Sequence, residues 1–222
     1  WEPEWGSRRI LSMLDDRPDW FISRQRNWGV PIPLIVHSAT GDIHPKQNVL
    51  FNEIADVIEQ EGIEGWDSLD LNSLIDDADQ YTKVRDTLDV WFDSGSMPFA
   101  QWHYPFENKA LIDNNEAFPA DFIAEGVDQT RGWFYTLHAI ATMTKKSVAY
   151  KNVVSNGLVL DKTGQKMSKR LGNAVDPFKT LEKYGADATR WYMISNSQPW
   201  DNLKFDLQGI EEVTRKFFGT LS

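Results

Sequence analysis

The chain has no cysteine, which excludes a disulfide framework and any thiolate-held metal and fits a reducing, cytoplasmic setting. No apolar run approaches the roughly 18 residues a bilayer span needs. No basic leader precedes an apolar stretch and a small-residue cleavage site, so neither a membrane partner nor secretion is expected. The histidines His37, His44, His103 and His138 show no metal-ligand spacing, and no zinc site is expected. Both common glycine-rich phosphate patterns, Gly-x-x-x-x-Gly-Lys-Ser/Thr and Gly-x-Gly-x-x-Gly, are absent. Positive charge is scarce: 23 Lys and Arg against 33 Asp and Glu leave a net charge of −10. This balance argues against bulk electrostatic capture of nucleic acid, and any RNA contact must be local.

What is present is a globular composition, with ten Trp and twelve Phe in a chain that is 41% hydrophobic. Its 222 residues suit one large domain, or one with a small appendage. The sequence opens on Trp1 rather than Met and closes on helix-like sequence, so a fragment of a longer protein is expected. Ile10–Leu14 and Pro18–Ile22 lead as extended chain into Ser23–Gly29, since Pro31-Ile32-Pro33 cannot be helix interior. Leu34–His37, a turn at Thr40-Gly41-Asp42, and Ile43-His44 read as a hairpin. From about 46 to 80 the chain is acidic, with Val49, Ile54, Val57 and Ile58 at helical spacing, and reads as an inserted module whose 59–79 stretch is a solvated face.

Thr87–Phe92 reads as a strand ended by Asp93-Ser94-Gly95-Ser96, and Asp121–Gly126 as a second. A helix follows from Gln129 to Met143, with Phe134, Leu137, His138 and Ala141 on one face. Asn152–Ser155 and Gly157–Leu160 read as a third strand, followed by a polar loop over 161–173. Alternating strands and helices predict a parallel α/β sheet with ligands beyond the carboxyl ends of its strands. Helices at about 178–185, 187–194 and from Leu207 onward complete the chain.

The loop Asp161-Lys162-Thr163-Gly164-Gln165-Lys166-Met167-Ser168-Lys169-Arg170-Leu171-Gly172-Asn173 carries the strongest chemical signal. Its lysines and hydroxyls can close on an anion, although composition alone would also suit a solvated lysine-rich turn. Glu125 and Asp128 in a turn could cap a helix, and Trp91 and Trp133 could be core aromatics or walls of an apolar pocket.

Lys166-Met167-Ser168-Lys169-Arg170, with Gly172-Asn173, Asp176-Pro177 and Tyr184-Gly185-Ala186-Asp187 downstream, resembles the signature loop of class I aminoacyl-tRNA synthetases. Ser23-Arg24-Gln25-Arg26-Asn27-Trp28-Gly29-Val30-Pro31, Asp89-Val90-Trp91-Phe92-Asp93-Ser94-Gly95 and Glu125-Gly126-Val127-Asp128-Gln129-Thr130-Arg131-Gly132-Trp133-Phe134 are similar to the isoleucyl branch. The resemblance implies ATP-dependent activation of isoleucine to isoleucyl-adenylate and transfer to tRNA(Ile), with Mg²⁺ accompanying ATP. It makes Lys166 and Lys169 catalytic. Asn156, Gly157, Met167, Ser168 and Lys169 fall to ATP, and Trp91, Glu125, Gly126, Asp128, Gln129 and Trp133 to the adenylate and the isoleucine side chain. Asn156 stands where many bacterial relatives carry His, and Arg170 where many carry Ser.

The family's His-x-x-His-type signature and its large editing domain do not occur in this chain. The resemblance therefore implies the C-terminal half of a Rossmann-type catalytic domain, inactive alone. Its expected parts are a return strand (1–30), an inserted connective module (31–85), the second catalytic half (86–175) and a helical stem-contact region (176–222). A valyl-type fragment and a non-catalytic, synthetase-derived binding module stay open as alternatives.

Overall fold

Helix formation begins where the sequence reading expected extended chain. In the computed structural model, which describes residues 1–17 and 19–221, Trp5–Asp15 forms helix α1. Ile10, Met13 and Leu14 carry the i, i+3, i+4 spacing of a helix, not the alternation of a strand. Pro18, part of the expected lead-in, and the terminal Ser222 lie outside the described residues. The chain divides into two compact units, Asp15–Met97 and Trp1–Leu14 with Pro98–Ser222.

The Asp15–Met97 unit runs β1 (Ser23–Arg24), β2 (Ile35–His37), α2 (Gln47–Glu61), α3 (Glu64–Ser68), β3 (Tyr81–Lys83), β4 (Thr87–Leu88) and α4 (Val90–Gly95). The hairpin turn is present, since the His37 N–H donates to Asp42 O at 2.8 Å and Val36 bridges Ile43. The longer ladder of β2 is nevertheless antiparallel to β3. Helix α2 faces inward through Leu50 and Ile54, while Val49 is exposed. With Ile35, Trp66 and Ile75 these form a core, so the acidic stretch is not simply a solvated face: Trp66 and Ile75 anchor it. Buried Gln47 ties the start of α2 to β2, accepting from the Ile35 N–H at 2.9 Å and donating to Pro33 O at 3.0 Å. The Lys83 ammonium donates to the carbonyls of Trp66, Asp67 and Leu69 at 2.7–2.9 Å. The expected strand Thr87–Phe92 stops at Leu88, because the Asp89 carboxylate accepts the Trp91 N–H at 3.1 Å and caps α4.

After α5 (Met97–Ala100) and α6 (Lys109–Asp113) come β5 (Ala120–Gly126), α7 (Trp133–Lys145), β6 (Tyr150–Asn156) and β7 (Val159–Leu160). The chain continues through α8 (Pro177–Tyr184), α9 (Ala186–Ser195), β8 (Leu203–Lys204), α10 (Leu207–Val213) and α11 (Gly219–Leu221), with a π-helical turn at Thr214–Phe218 between the last two. Strands β5 and β6 are parallel, from Ala120↔Tyr150 to Gly126↔Asn156, and α7 is their crossover. Phe134, Leu137, Ile140 and Ala141 are its buried face. The expected helix start at Gln129 is corrected: Val127–Arg131 is a 3₁₀ turn, and Gly132 at φ −130°, ψ −112° separates it from α7. The expected third strand is likewise two strands in two sheets, because β7 pairs in parallel with β8. The α/β class with parallel strands stands. Among the described residues no helix is long and apolar enough to cross a membrane.

Candidate active site

The loop after β7 is ordered by its own side chains. Lys166 forms an antiparallel bridge with Leu160, closing the chain back on the strand it left. Asp161 sits at the base. Its Oδ1 accepts from the Thr163 N–H at 2.9 Å, the Thr163 hydroxyl at 2.7 Å and the Gln165 N–H at 2.8 Å, and its Oδ2 accepts from Asn173 Nδ2 at 2.8 Å. The Thr163 hydroxyl, then the Gln165 N–H and Asn173, hold the Asp161 carboxyl well below the usual carboxylate range. Asn173 Oδ1 accepts the Ser168 N–H at 2.9 Å, and Ser168 Oγ accepts the Leu171 N–H at 3.2 Å. As a hydroxyl, Ser168 also carries a proton that it can donate.

Met167 points the other way. Its side chain packs against a cluster of Ala188, Tyr192, Leu203, Phe205 and Ile210. It also lines an apolar cleft of about 350 Å³ together with Val159, Val175, Leu181, Met193 and Phe205. Lys166 and Lys169, on either side of the Met167-Ser168 pair, are exposed. Neither enters an ion pair among the described residues. A loop fixed by an apolar foot, with ammonium groups on its solvent side, can close on a polyanion.

The carboxyl ends of β5 and β6 place Gly126 beside Asn156. Asp128 folds back over Gly126, where a Cβ would stand 2.6 Å from Asp128 Oδ1. Gln129 Oε1 accepts the Trp133 N–H at 3.0 Å, so Gln129 serves the start of α7, whose first residue is Trp133. Glu125 and Asp128 are exposed. Gly157 has a packing role: its N–H donates to Pro199 O at 2.8 Å, and a Cβ would lie 2.0 Å from Asp201 O. One end of the 161–173 loop therefore starts from a β-pair, β7 with β8, that needs glycine at 157.

In the Asp15–Met97 unit two of the sequence motifs meet. Strand β1 pairs with β4 through Arg24↔Thr87. Buried Asp89 accepts from Arg24 Nη2 at 2.5 Å, from Trp20 Nε1 at 3.0 Å and from the Trp91 N–H. Burial, reinforced by the Asp89 charge, pushes the Asp93 carboxyl up. Trp91 is 40% exposed on α4, so an indole face is available there. Sequence reasoning gave no role to Asp161, Asn173, Arg24 or Asp89 individually. The only signal was that each stands inside a motif.

Residues 1–206 match the profile of the tRNA synthetases class I (I, L, M and V). The chain is 53% identical over 249 residues to the isoleucine–tRNA ligase of Bacteroides thetaiotaomicron, covering 100% of this chain and 21% of that protein. It is 54% identical over 237 residues to the ligase of Cytophaga hutchinsonii, with 100% and 21% covered. The chain thus spans about a fifth of the length of these curated relatives. Among solved structures, the Agrobacterium radiobacter LeuRS in ternary complex with tRNA and LeuAMS superposes with a TM-score of 0.63 at 23% identity, covering 97% of this chain and 32% of that one. The Mycobacterium tuberculosis methionyl-tRNA synthetase in complex with methionyl-adenylate gives 0.64 at 18% identity, covering 98% and 33%.

Proposed function

Because the chain belongs to the class I tRNA synthetases (I, L, M and V), we propose that it is the loop-bearing half of the catalytic domain of an isoleucine–tRNA ligase. The observation that carries the choice of isoleucine is the 53–54% identity to isoleucine–tRNA ligases over the whole chain. In the proposed reaction a carboxylate oxygen of isoleucine attacks the α-phosphorus of ATP and the bond to the β-phosphate breaks. Pyrophosphate leaves and isoleucyl-adenylate remains. A ribose hydroxyl at the end of tRNA(Ile) then attacks the adenylate carbonyl and displaces AMP. Mg²⁺ enters with the nucleotide substrate.

The chemistry asks mainly for alignment and for cations facing the growing phosphate charge. Lys169, assisted by Lys166, supplies the cations in this proposal. The Ser168 hydroxyl and the backbone at Met167 hold the nucleotide, with Asn156 and Gly157 at its adenine end. Glu125, Gly126, Asp128 and Gln129 take the ammonium and ribose hydroxyls, and Trp91 and Trp133 wall the isoleucine side chain. The rest of the longer protein supplies the first catalytic half, which would extend the two-stranded β5–β6 sheet, whose Phe122 is 58% exposed. The proposal is tested by amino-acid-dependent ATP–pyrophosphate exchange in the full-length protein. Isoleucine is expected to support exchange at the lowest concentration, and a preference for valine would move the assignment to the valyl branch.

A further inference from the structure

Two side chains that carry no assigned role hold the lysine loop in shape from both of its ends. Asp161 closes the first turn by drawing in three donors, and it meets Asn173, twelve residues on, through the 2.8 Å bond to Nδ2. Asn173 then grips the middle of the loop. Its Oδ1 takes the Ser168 N–H, and its Nδ2 also reaches Lys166 O at 3.3 Å. The backbone between Lys166 and Ser168 is thereby pinned from the side opposite the Met167 foot. Every bond of this brace lies within 161–173, so the loop keeps its internal shape while Lys166 and Lys169 face solvent.

We propose that Asp161 and Asn173 are the positioning residues of the adenylation step, a paired carboxylate and carboxamide that presets the direction of Lys166 and Lys169 before ATP arrives. The inference rests on the reading of the loop as the phosphate-contacting element. Its physical basis is preorganisation: a loop of glycines and long lysines ordered only on binding would lose conformational entropy at that step and align its cations less well. In this proposal the pair acts through the loop backbone and not on the nucleotide itself.

The pair has a donor direction, and that makes it testable. Asn173 donates to Asp161, and Asp161 only accepts. Asp161→Asn therefore sets an amide against an amide, and satisfying one bond by flipping Asn173 turns its NH₂ toward the Ser168 N–H. Asn173→Asp sets two carboxylates face to face. The double variant Asp161→Asn/Asn173→Asp restores the link between the two side chains, with the donor reversed, and the link to the Ser168 N–H, at unchanged net charge; it gives up only the longer 3.3 Å bond to Lys166 O. In the full-length ligase each single variant is expected to slow single-turnover adenylate formation by about 10–100-fold while the KM for isoleucine stays put. The double variant is expected to recover most of that loss, a non-additivity that mere proximity would not give. Asn173→Asp adds a pH signature. Facing carboxylates raise one member's pKa, and the protonated form can donate across the gap, so the variant's rate relative to wild type should climb as pH falls from about 8 to about 5.5.

Where a single variant folds poorly, Asn173→Ala, which adds no charge, is expected to show the same slow step with the fold intact by circular dichroism. Wild-type rates in Asn173→Ala, or a double variant as slow as the product of the singles, overturn the proposal. Lys169→Ala is run alongside. If it is slow while the brace variants are fast, the brace alone falls. If it is fast, the assignment of the loop falls and the brace with it.

Discussion

Replacing Gly157 by alanine isolates a packing requirement from nucleotide binding at one residue. The added Cβ would stand 2.0 Å from Asp201 O and 2.4 Å from its carbonyl carbon, where an ordinary contact is beyond roughly 3 Å. The 199–202 backbone must therefore retreat by about 1 Å, a displacement of the kind that costs about 1–3 kcal/mol in a packed site. That retreat weakens the Gly157 N–H to Pro199 O bond and the Leu158 N–H to Asn202 Oδ1 bond, each 2.8 Å, at about 0.5–1.5 kcal/mol apiece. The local loss is then about 2–6 kcal/mol, and it falls on the β7–β8 pair that follows at once. The assay is amide hydrogen exchange in the full-length ligase. The Leu203 and Phe205 N–H groups, which donate to Leu158 O and Leu160 O, should exchange about 30-fold faster or more. Asn156→Ala, at an exposed side chain, should leave those amides alone and act on the KM for ATP. Wild-type exchange at Leu203 and Phe205 in Gly157→Ala would refute the packing argument.

Trp133→Ala and Trp91→Ala should each raise the KM for isoleucine more than that for ATP, because each removes a large apolar wall; equal shifts in both constants would take these residues out of the pocket. Burial lowers the pKa of His138, whose Nδ1 accepts the Ala149 N–H at 3.1 Å. Its contribution to stability is thus complete above the ordinary histidine value of about 6.5 and lost as pH falls below it, as the unfolded chain takes up the proton first. His138→Gln should flatten the decline in urea midpoint between about pH 7 and 5, and an unchanged slope would count against it. Residues 1–222 alone should give no isoleucine-dependent exchange, with recovery only on mixing with the rest of the ligase; robust exchange by the piece alone would contradict the shared-site reading.

What the sequence reveals follows how local each cause is. Strand β5, the start of β6 and helices α8 and α9 are legible because their signals lie within the segment itself: compact β-prone runs, or Asp176-Pro177 opening a helix. Val90, Trp91 and Phe92 are equally β-prone, yet Asp89 captures the Trp91 N–H and turns them into α4, a tertiary outcome also held by Arg24 and Trp20. Val159 and Leu160 looked continuous with β6 because their partner, Leu203-Lys204, is far along the chain. Lys166, Lys169 and the aromatic walls were reached by resemblance. Asp161 and Asn173 stand in the same motif, but their function is a hydrogen bond between residues twelve apart, which only coordinates display.

In the proposed function the loop at 166–170 stabilises phosphate charge during isoleucine activation. The decisive measurement is single-turnover formation of isoleucyl-adenylate by the full-length ligase carrying Lys169→Ala. A cation acting chiefly in the transition state should, when removed, slow that step by about 10²–10³ while isoleucine binding stays near wild type. Adenylate formation at the wild-type rate would contradict the claim and return the loop to a solvated, lysine-rich turn.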